Sequence, residues 1–232
     1  MLKASGSVDQ LLSEFVRSAG GTIRQTKDSG IYDAWNQAMD FLQSTSLDED
    51  TYVAFLGLDD ELNRDFCNEV ARIAIDGGKP DFIYGNSRCI LNGRFKDQTS
   101  PSFPSLFAKD RYVFDVPHPG MMNKWGAIRN YRFDTRYKLA ADFDFYIGIA
   151  QRRDVSFTHV QKIQAMIGTD GMSNNASAIE IYIREWGLIQ SRRNVVLVVP
   201  TWRLKILQMV AAVPFLLKPL RRLSWIVRAK KI

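Results

Sequence analysis

Gly30-Ile31-Tyr32-Asp33-Ala34-Trp35-Asn36 and the later run Tyr52-Val53-Ala54-Phe55-Leu56-Gly57-Leu58-Asp59-Asp60 decide how this chain is read. In the first, Gly30 permits a tight backbone turn into a helix, and Asp33 and Asn36 sit three apart on one helical face. The second opens as a continuous apolar strand of the kind buried in a parallel sheet, and it ends on two adjacent carboxylates. Such a pair suits a hard divalent cation, because Mg²⁺ is held through one or two carboxylates plus substrate phosphates and water. Plainer roles stand beside these. Acids favour the first turn of a following helix, and Asp28 or Ser29 is an ordinary helix cap.

Working outward, Val8, Leu11, Leu12, Phe15 and Val16 have helical spacing over residues 8–18, closed by Gly20-Gly21. A short strand is expected over 22–26 and a helix over 31–43, through Ala34, Ala38, Phe41 and Leu42. A helix over 62–76 stops at Gly77-Gly78-Lys79-Pro80, and residues 81–86 form the next strand. This alternation predicts an α/β fold with a mostly parallel sheet flanked by helices, whose ligands collect at the carboxyl ends of the strands. Residues 91–120, rich in Pro, Ser, Phe and turn residues, read as a loop-dominated insertion. Helices over 140–151 and 180–190 and a strand over 155–160 complete the pattern.

A chain of 232 residues with 46% hydrophobic content can bury one α/β core with a small appendage. The formal charge of +6 is uneven: residues 201–232 carry eight Lys or Arg and no acid, leaving 23 basic against 25 acidic residues before them. The basic tail therefore points to an anionic partner. It also carries Leu204, Ile206, Leu207, Val210, Phe215, Leu216 and Leu217, with Trp202 and Trp225, and is broken by Pro214 and Pro219. The pieces are short for a bilayer span, so a basic amphipathic segment at an anionic membrane surface is the first reading. A helical pair packed on the body is the alternative, and no nucleic-acid partner is expected because no recognition motif accompanies the charge. Residues 1–25 lack a basic stretch followed by an apolar one, so no secretory leader is expected. Cys67 and Cys89 read as thiols of a helix and a strand rather than as a disulfide.

The pattern D-x-G-I-Y-D-A-x-N over residues 28–36, followed by F-L-x-x-D-D over 55–60, resembles the family 2 glycosyltransferases of GT-A fold. It resembles especially those that build bacterial exopolysaccharides and cell-envelope glycolipids. The resemblance covers residues 4–175 and implies a Rossmann-like GT-A domain over 1–180, with a basic amphipathic helical region over 181–232. It implies a nucleotide-sugar donor, a glycolipid or polysaccharide acceptor, inversion in one displacement, and a divalent metal, Mg²⁺ or Mn²⁺. Asp60 and Asp59 would hold the metal and diphosphate, and Asp28, Gly30, Asp33, Asn36 and Asp59 would line the donor site. By the match of residues 131–144, Asp142 would be the general base, with capping of the following helix as its plainer role. His118, set in Pro117-His118-Pro119-Gly120, and Asp144 are candidates for contact with acceptor or diphosphate. Pro119 replaces the Gln usual after that histidine, and His159 reads as structural. Gly168-Thr169-Asp170-Gly171-Met172-Ser173-Asn174 resembles a loop that closes over the donor. Residues 1–9 resemble the end of the family's second strand, with Ala4 where a base-contacting Asp is usual, so the GT-A domain is expected to be N-terminally truncated. The implied activity is that of an inverting glycosyltransferase, cytoplasmic and peripheral at the inner face of the plasma membrane. The alternative is a GT-A-like remnant or binding protein without catalysis.

Overall fold

The computed structural model describes residues 2–4, 14, 16–18, 20–57, 59–91, 94–100, 107–108, 111–112, 116–152, 154–168 and 176–197. The basic tail 201–232 and residues 169–175 of the glycine-rich loop lie outside them, as does most of the helix expected over 8–18, of which residues 14 and 16–18 are helical.

In chain order the elements are β1 (Leu2–Ala4), β2 (Ile23–Gln25), α1 (Ile31–Ser44), β3 (Tyr52–Ala54), β4 (Glu61–Leu62) and α2 (Arg64–Ile75). There follow β5 (Phe82–Leu91), β6 (Arg94–Gln98), β7 (Phe107–Ala108), β8 (Arg111–Tyr112), β9 (Met122–Lys124), α3 (Trp125–Ile128), α4 (Ala141–Ala150), β10 (Phe157–Ile167), α5 (Ala176–Arg193) and β11 (Val196–Leu197). The helix α5 runs unbroken through residue 180, where the sequence places the edge of the first domain.

The central sheet has the order β3-β9-β5-β10-β4, with β6 on β5. It is mixed, which corrects the expectation of a mostly parallel sheet. The β5–β10 pair is parallel, with Phe157 opposite Phe82. The β3–β9, β5–β9, β5–β6 and β4–β10 pairs are antiparallel. Because β9 is reversed between β3 and β5, those two still run in the same sense. The departures arise from connections other than helical crossovers, as antiparallel neighbours need no long return. Leu91 pairs with Arg94, with Asn92-Gly93 between them in sequence, a dipeptide favoured by two-residue hairpin loops. The insertion is accordingly not all loop. It supplies β6, β7 and β8, with β9 directly after it, and β8 and β7 join β11 in a separate three-stranded sheet. A third, two-stranded sheet pairs β1 with β2 in parallel.

Helices cover both faces of the central sheet, as expected of an α/β fold. Along β5 the side chains alternate with the pleat. Phe82 and Tyr84 enter a core shared with α1, α3, α4 and α5, whereas Ile83 packs with Phe66 and Val70 of α2. In α1, Tyr32, Trp35, Met39 and Leu42 form the inward stripe of an amphipathic helix. Gly85 lies where a Cβ would come within 2.5 Å of the Lys162 carbonyl oxygen, so β5 approaches β10 there as only a glycine allows. Cys67 and Cys89 are both free thiols. Among the described residues no helix is long and apolar enough to cross a membrane.

Candidate functional site

The segment after β3 carries Asp59, exposed, and Asp60, half-buried. Their plainer role does not hold. The helix α2 begins only at Arg64, capped by Asn63, whose side chain accepts from the backbone N–H groups of Asp65 and Phe66. Leu62, expected to open that helix, forms with Glu61 a strand on β10 instead, so neither aspartate lies in a first helical turn. The carboxylate of Asp60 is held by two backbone donors, Gly57 N–H at 3.1 Å and Gly168 N–H at 3.0 Å. Burial raises its pKa against the pull of those two amides. Both donors are glycines for a steric reason. A Cβ on Gly168 would meet an Asp59 carboxylate oxygen at 2.4 Å, and one on Gly57 would meet Asp60 at 2.9 Å.

Among the described residues no group of three His, Cys, Asp or Glu side chains gathers round a common point. Two carboxylates completed by phosphate oxygens are nevertheless the usual Mg²⁺ arrangement. Asp59 and Asp60, walled by side-chain-free glycines, fit that donor set.

Asp142 is the second residue of α4. Its Oδ1 accepts from the Phe143 backbone N–H at 2.9 Å and from the Tyr32 hydroxyl of α1 at 3.2 Å. That oxygen thus satisfies a backbone N–H in the first turn of α4 and also takes a hydroxyl from α1. Burial raises its pKa to about 6, only partly offset by these donors. Burial and the facing carboxylate keep the Tyr32 phenol protonated, so it stays a donor.

An aromatic wall joins the two aspartate centres. Phe55 lies 5.3 Å from Trp35, 5.6 Å from His118 and 5.2 Å from Phe133, and Phe133 stacks on Tyr32. His118 is not a surface loop residue but is buried inside this wall. Its protonation follows from its neighbours. The Asn123 amide nitrogen donates to the carbonyls of Val53 and Met121, so its oxygen accepts from the Tyr146 hydroxyl at 2.8 Å. That uses the hydroxyl proton, so Tyr146 must accept from His118 Nδ1–H at 2.9 Å. The ring is neutral, its pKa pushed down to about 3 by burial. Its buried Nε2 has no partner among the described residues and can only accept.

The remaining sequence candidates serve the frame of the site. Asp28 accepts from Gly30 N–H at 3.1 Å, and Gly30 adopts φ 138° as it caps α1. Asp33 reaches back to the Ser29 N–H and hydroxyl, at 2.8 and 3.0 Å, in the manner of a capping box. Asn36 clamps the Phe133 backbone with both ends of its amide, each at 2.8 Å. Asp144 is buried in a bidentate pair with Arg193 of α5, at 2.8 and 2.7 Å. These four residues thus bind backbone or partner side chains: Asn36 ties α1 to the segment ahead of α4, and Asp144 ties α4 to α5.

The sequence reading passed over Tyr32, although it stands inside the quoted block, and over Glu185. The latter's signal is legible: an acid at a core position of the α5 stripe that includes Ala178, Tyr182, Trp186 and Ile189. A polar cleft of about 160 Å³ lined by Glu49, Asp50, Asp81, Lys124, Arg152 and Asp154 lies at the opposite strand ends, where Lys124 pairs with Asp50 and Arg152 with Asp154.

No protein-family model and no curated protein sequence matches the chain. Among solved structures it is similar in fold to residues 1–349 of S. aureus TarS. The TM-score is 0.50 at 17% identity, over 77% of this chain and 52% of that one. The chain thus spans about half the length of that structure, and the likeness is one of fold alone.

Proposed function

We propose that this chain is an inverting glycosyltransferase that moves a sugar from a nucleotide-sugar to a hydroxyl of a glycolipid or polysaccharide. The observation that carries the reading is Asp142, a carboxylate with its pKa near 6 held in place by a tyrosine hydroxyl. A base of that strength is mostly ionised near neutral pH and still accepts a proton readily. The acceptor oxygen attacks the anomeric carbon as the bond from that carbon to the diphosphate oxygen breaks. The hydroxyl proton passes to Asp142, and the electron pair leaves with the nucleoside diphosphate. Asp59 and Asp60 would hold Mg²⁺ or Mn²⁺, which when bound supplies Lewis-acid stabilisation of the diphosphate charge. His118 Nε2, a lone pair with no proton, suits a donor such as a sugar hydroxyl and cannot donate to phosphate. The α1 N-terminus, shaped by Asp28, Gly30 and Asp33 and clamped through Asn36, forms one wall of the donor site.

The test is titration calorimetry with UDP and GDP, each with and without Mn²⁺, on wild type and Asp60→Ala. Metal-dependent binding that Asp60→Ala abolishes supports the reading. A folded, monodisperse wild type that binds neither nucleotide refutes it and favours a GT-A-like protein without catalysis. The tail 201–232 would hold the enzyme at the inner face of the plasma membrane. Its deletion should release the protein from vesicles containing anionic lipid, and undiminished binding would defeat that assignment.

A further inference from the structure

The helix α5 carries a glutamate that the chemistry above leaves unused. Glu185 is 2% exposed, on the same face as Ala178 and Ile189, which are equally buried. Its carboxylate meets no cation among the described residues. Instead Oε1 accepts from the Lys138 N–H at 2.7 Å, and Oε2 accepts from the N–H groups of Leu139 and Ala140, both at 3.0 Å. Three converging backbone donors make a nest for an anion. Hydrogen bonds to a charged acceptor are the strong kind, and burial of such a group is tolerated only when it is satisfied in this way. The held residues end at Ala140, the N-cap of α4, which has no side-chain cap of its own. Glu185 thus sits at the positive end of α4, two residues ahead of Asp142.

We propose that Glu185 is the positioning residue of the base: its buried carboxylate fixes the 138–140 backbone, and so the start of α4 and the place and charge of Asp142. This rests on the reading of Asp142 as the base. The fixed negative charge also opposes ionisation of Asp142, in the same direction as burial. The other titratable groups facing that carboxyl are the phenols of Tyr32 on α1 and Tyr146 on α4, and Tyr182 of α5 faces Tyr32. Asp144, on the same helix, is neutralised by Arg193.

The experiment follows the Asp142 carboxyl by carbon-13 NMR titration in the full chain, together with amide exchange at Leu139 and Ala140. Glu185→Gln keeps the shape but loses the charge and sets an NH₂ group against one of the three N–H donors. It should lower the Asp142 midpoint by about half a pH unit and speed exchange of the two amides roughly tenfold. Glu185→Asp keeps the charge but shortens the reach. It should speed exchange while leaving the midpoint nearer wild type, and it serves if the Gln variant does not fold. A folded Glu185→Gln protein with unchanged midpoint and exchange overturns the proposal, as does a change in melting temperature alone. Asp142→Asn, assayed for hydrolysis of a panel of UDP- and GDP-sugars, tests the base reading separately. Full activity there defeats the base assignment, whatever the Glu185 variants show.

Discussion

Asp142→Asn should abolish the proposed transfer and stabilise the protein at the same time, and the second effect has a definite pH dependence. Burial holds the Asp142 carboxyl at about 6, above its ordinary value of 3.8. As pH rises between those values the unfolded chain ionises first, so unfolding is favoured and wild type loses stability. The loss is about 1.4 kcal/mol per pH unit of difference between the two states. It begins near the unfolded value and is complete above the folded one. Over that gap the penalty approaches about 3 kcal/mol, and because Asp142 is only half-buried by surface area a range of about 1–3 kcal/mol is the fair expectation. Asparagine carries no such penalty, and its Oδ1 can still accept from Tyr32 and Phe143 as Asp142 does. Urea denaturation of both proteins at pH 4 and pH 8 measures the effect, the difference between them cancelling groups they share. The variant should gain little at pH 4 and about 1–3 kcal/mol at pH 8. Its sugar transfer should fall by about 10²- to 10⁴-fold. An advantage independent of pH, or a variant less stable than wild type at pH 8, would refute the argument that burial sets this carboxyl.

Other perturbations probe the supports of the site. Gly168→Ala places a Cβ 2.4 Å from an Asp59 oxygen, so it should weaken Mn²⁺-dependent UDP binding more than it lowers the melting temperature; unaltered affinity by calorimetry would count against the carboxylate pair. Asn36→Ala removes both hydrogen bonds to Phe133 and should cost about 1–3 kcal/mol in urea denaturation. Gly85→Ala must push β5 from β10 or from the Phe66 ring and should destabilise by about 3 kcal/mol or more, given that core strain is among the larger single-residue effects; a neutral result would mean the strands separate easily there. Asp144→Ala leaves the Arg193 guanidinium without its bidentate partner and should cost about 3 kcal/mol, whereas Asp144→Asn should cost less.

Much of the frame is legible in the order of residues, because the signals concerned are local. The helical spacing of Ala34, Ala38, Phe41 and Leu42, the glycine before α1 and the apolar run into Asp59-Asp60 each act within a few residues. Helices and strands form nearly where they predict, although the stripe that turns inward on α1 is Tyr32, Trp35, Met39 and Leu42. The α5 helix and the β5 strand prove longer than their strongest periodicity, since packing extends elements beyond what propensity alone supports. The sense of the strands was not legible. The Asn92-Gly93 pair could have announced the β5–β6 hairpin, but the reversal of β9 depends on how an insertion returns to the sheet.

The chemistry divides in the same way. By itself the sequence determined which carboxylates stand at strand and helix ends, and that two of them are adjacent. Only the tertiary structure decided what each one does with its oxygens. It turned Asn36 and Asp144 into clamps, set Tyr32 on Asp142 from 110 residues away, and brought Glu185 to the backbone ahead of Asp142. It also settled that His118 is a neutral acceptor, through a tyrosine and an asparagine whose own partners leave no other choice. Those outcomes depend on burial and on hydrogen-bond partners far apart in the chain. Desolvation and donor geometry, which set pKa and role, exist only once the chain has folded.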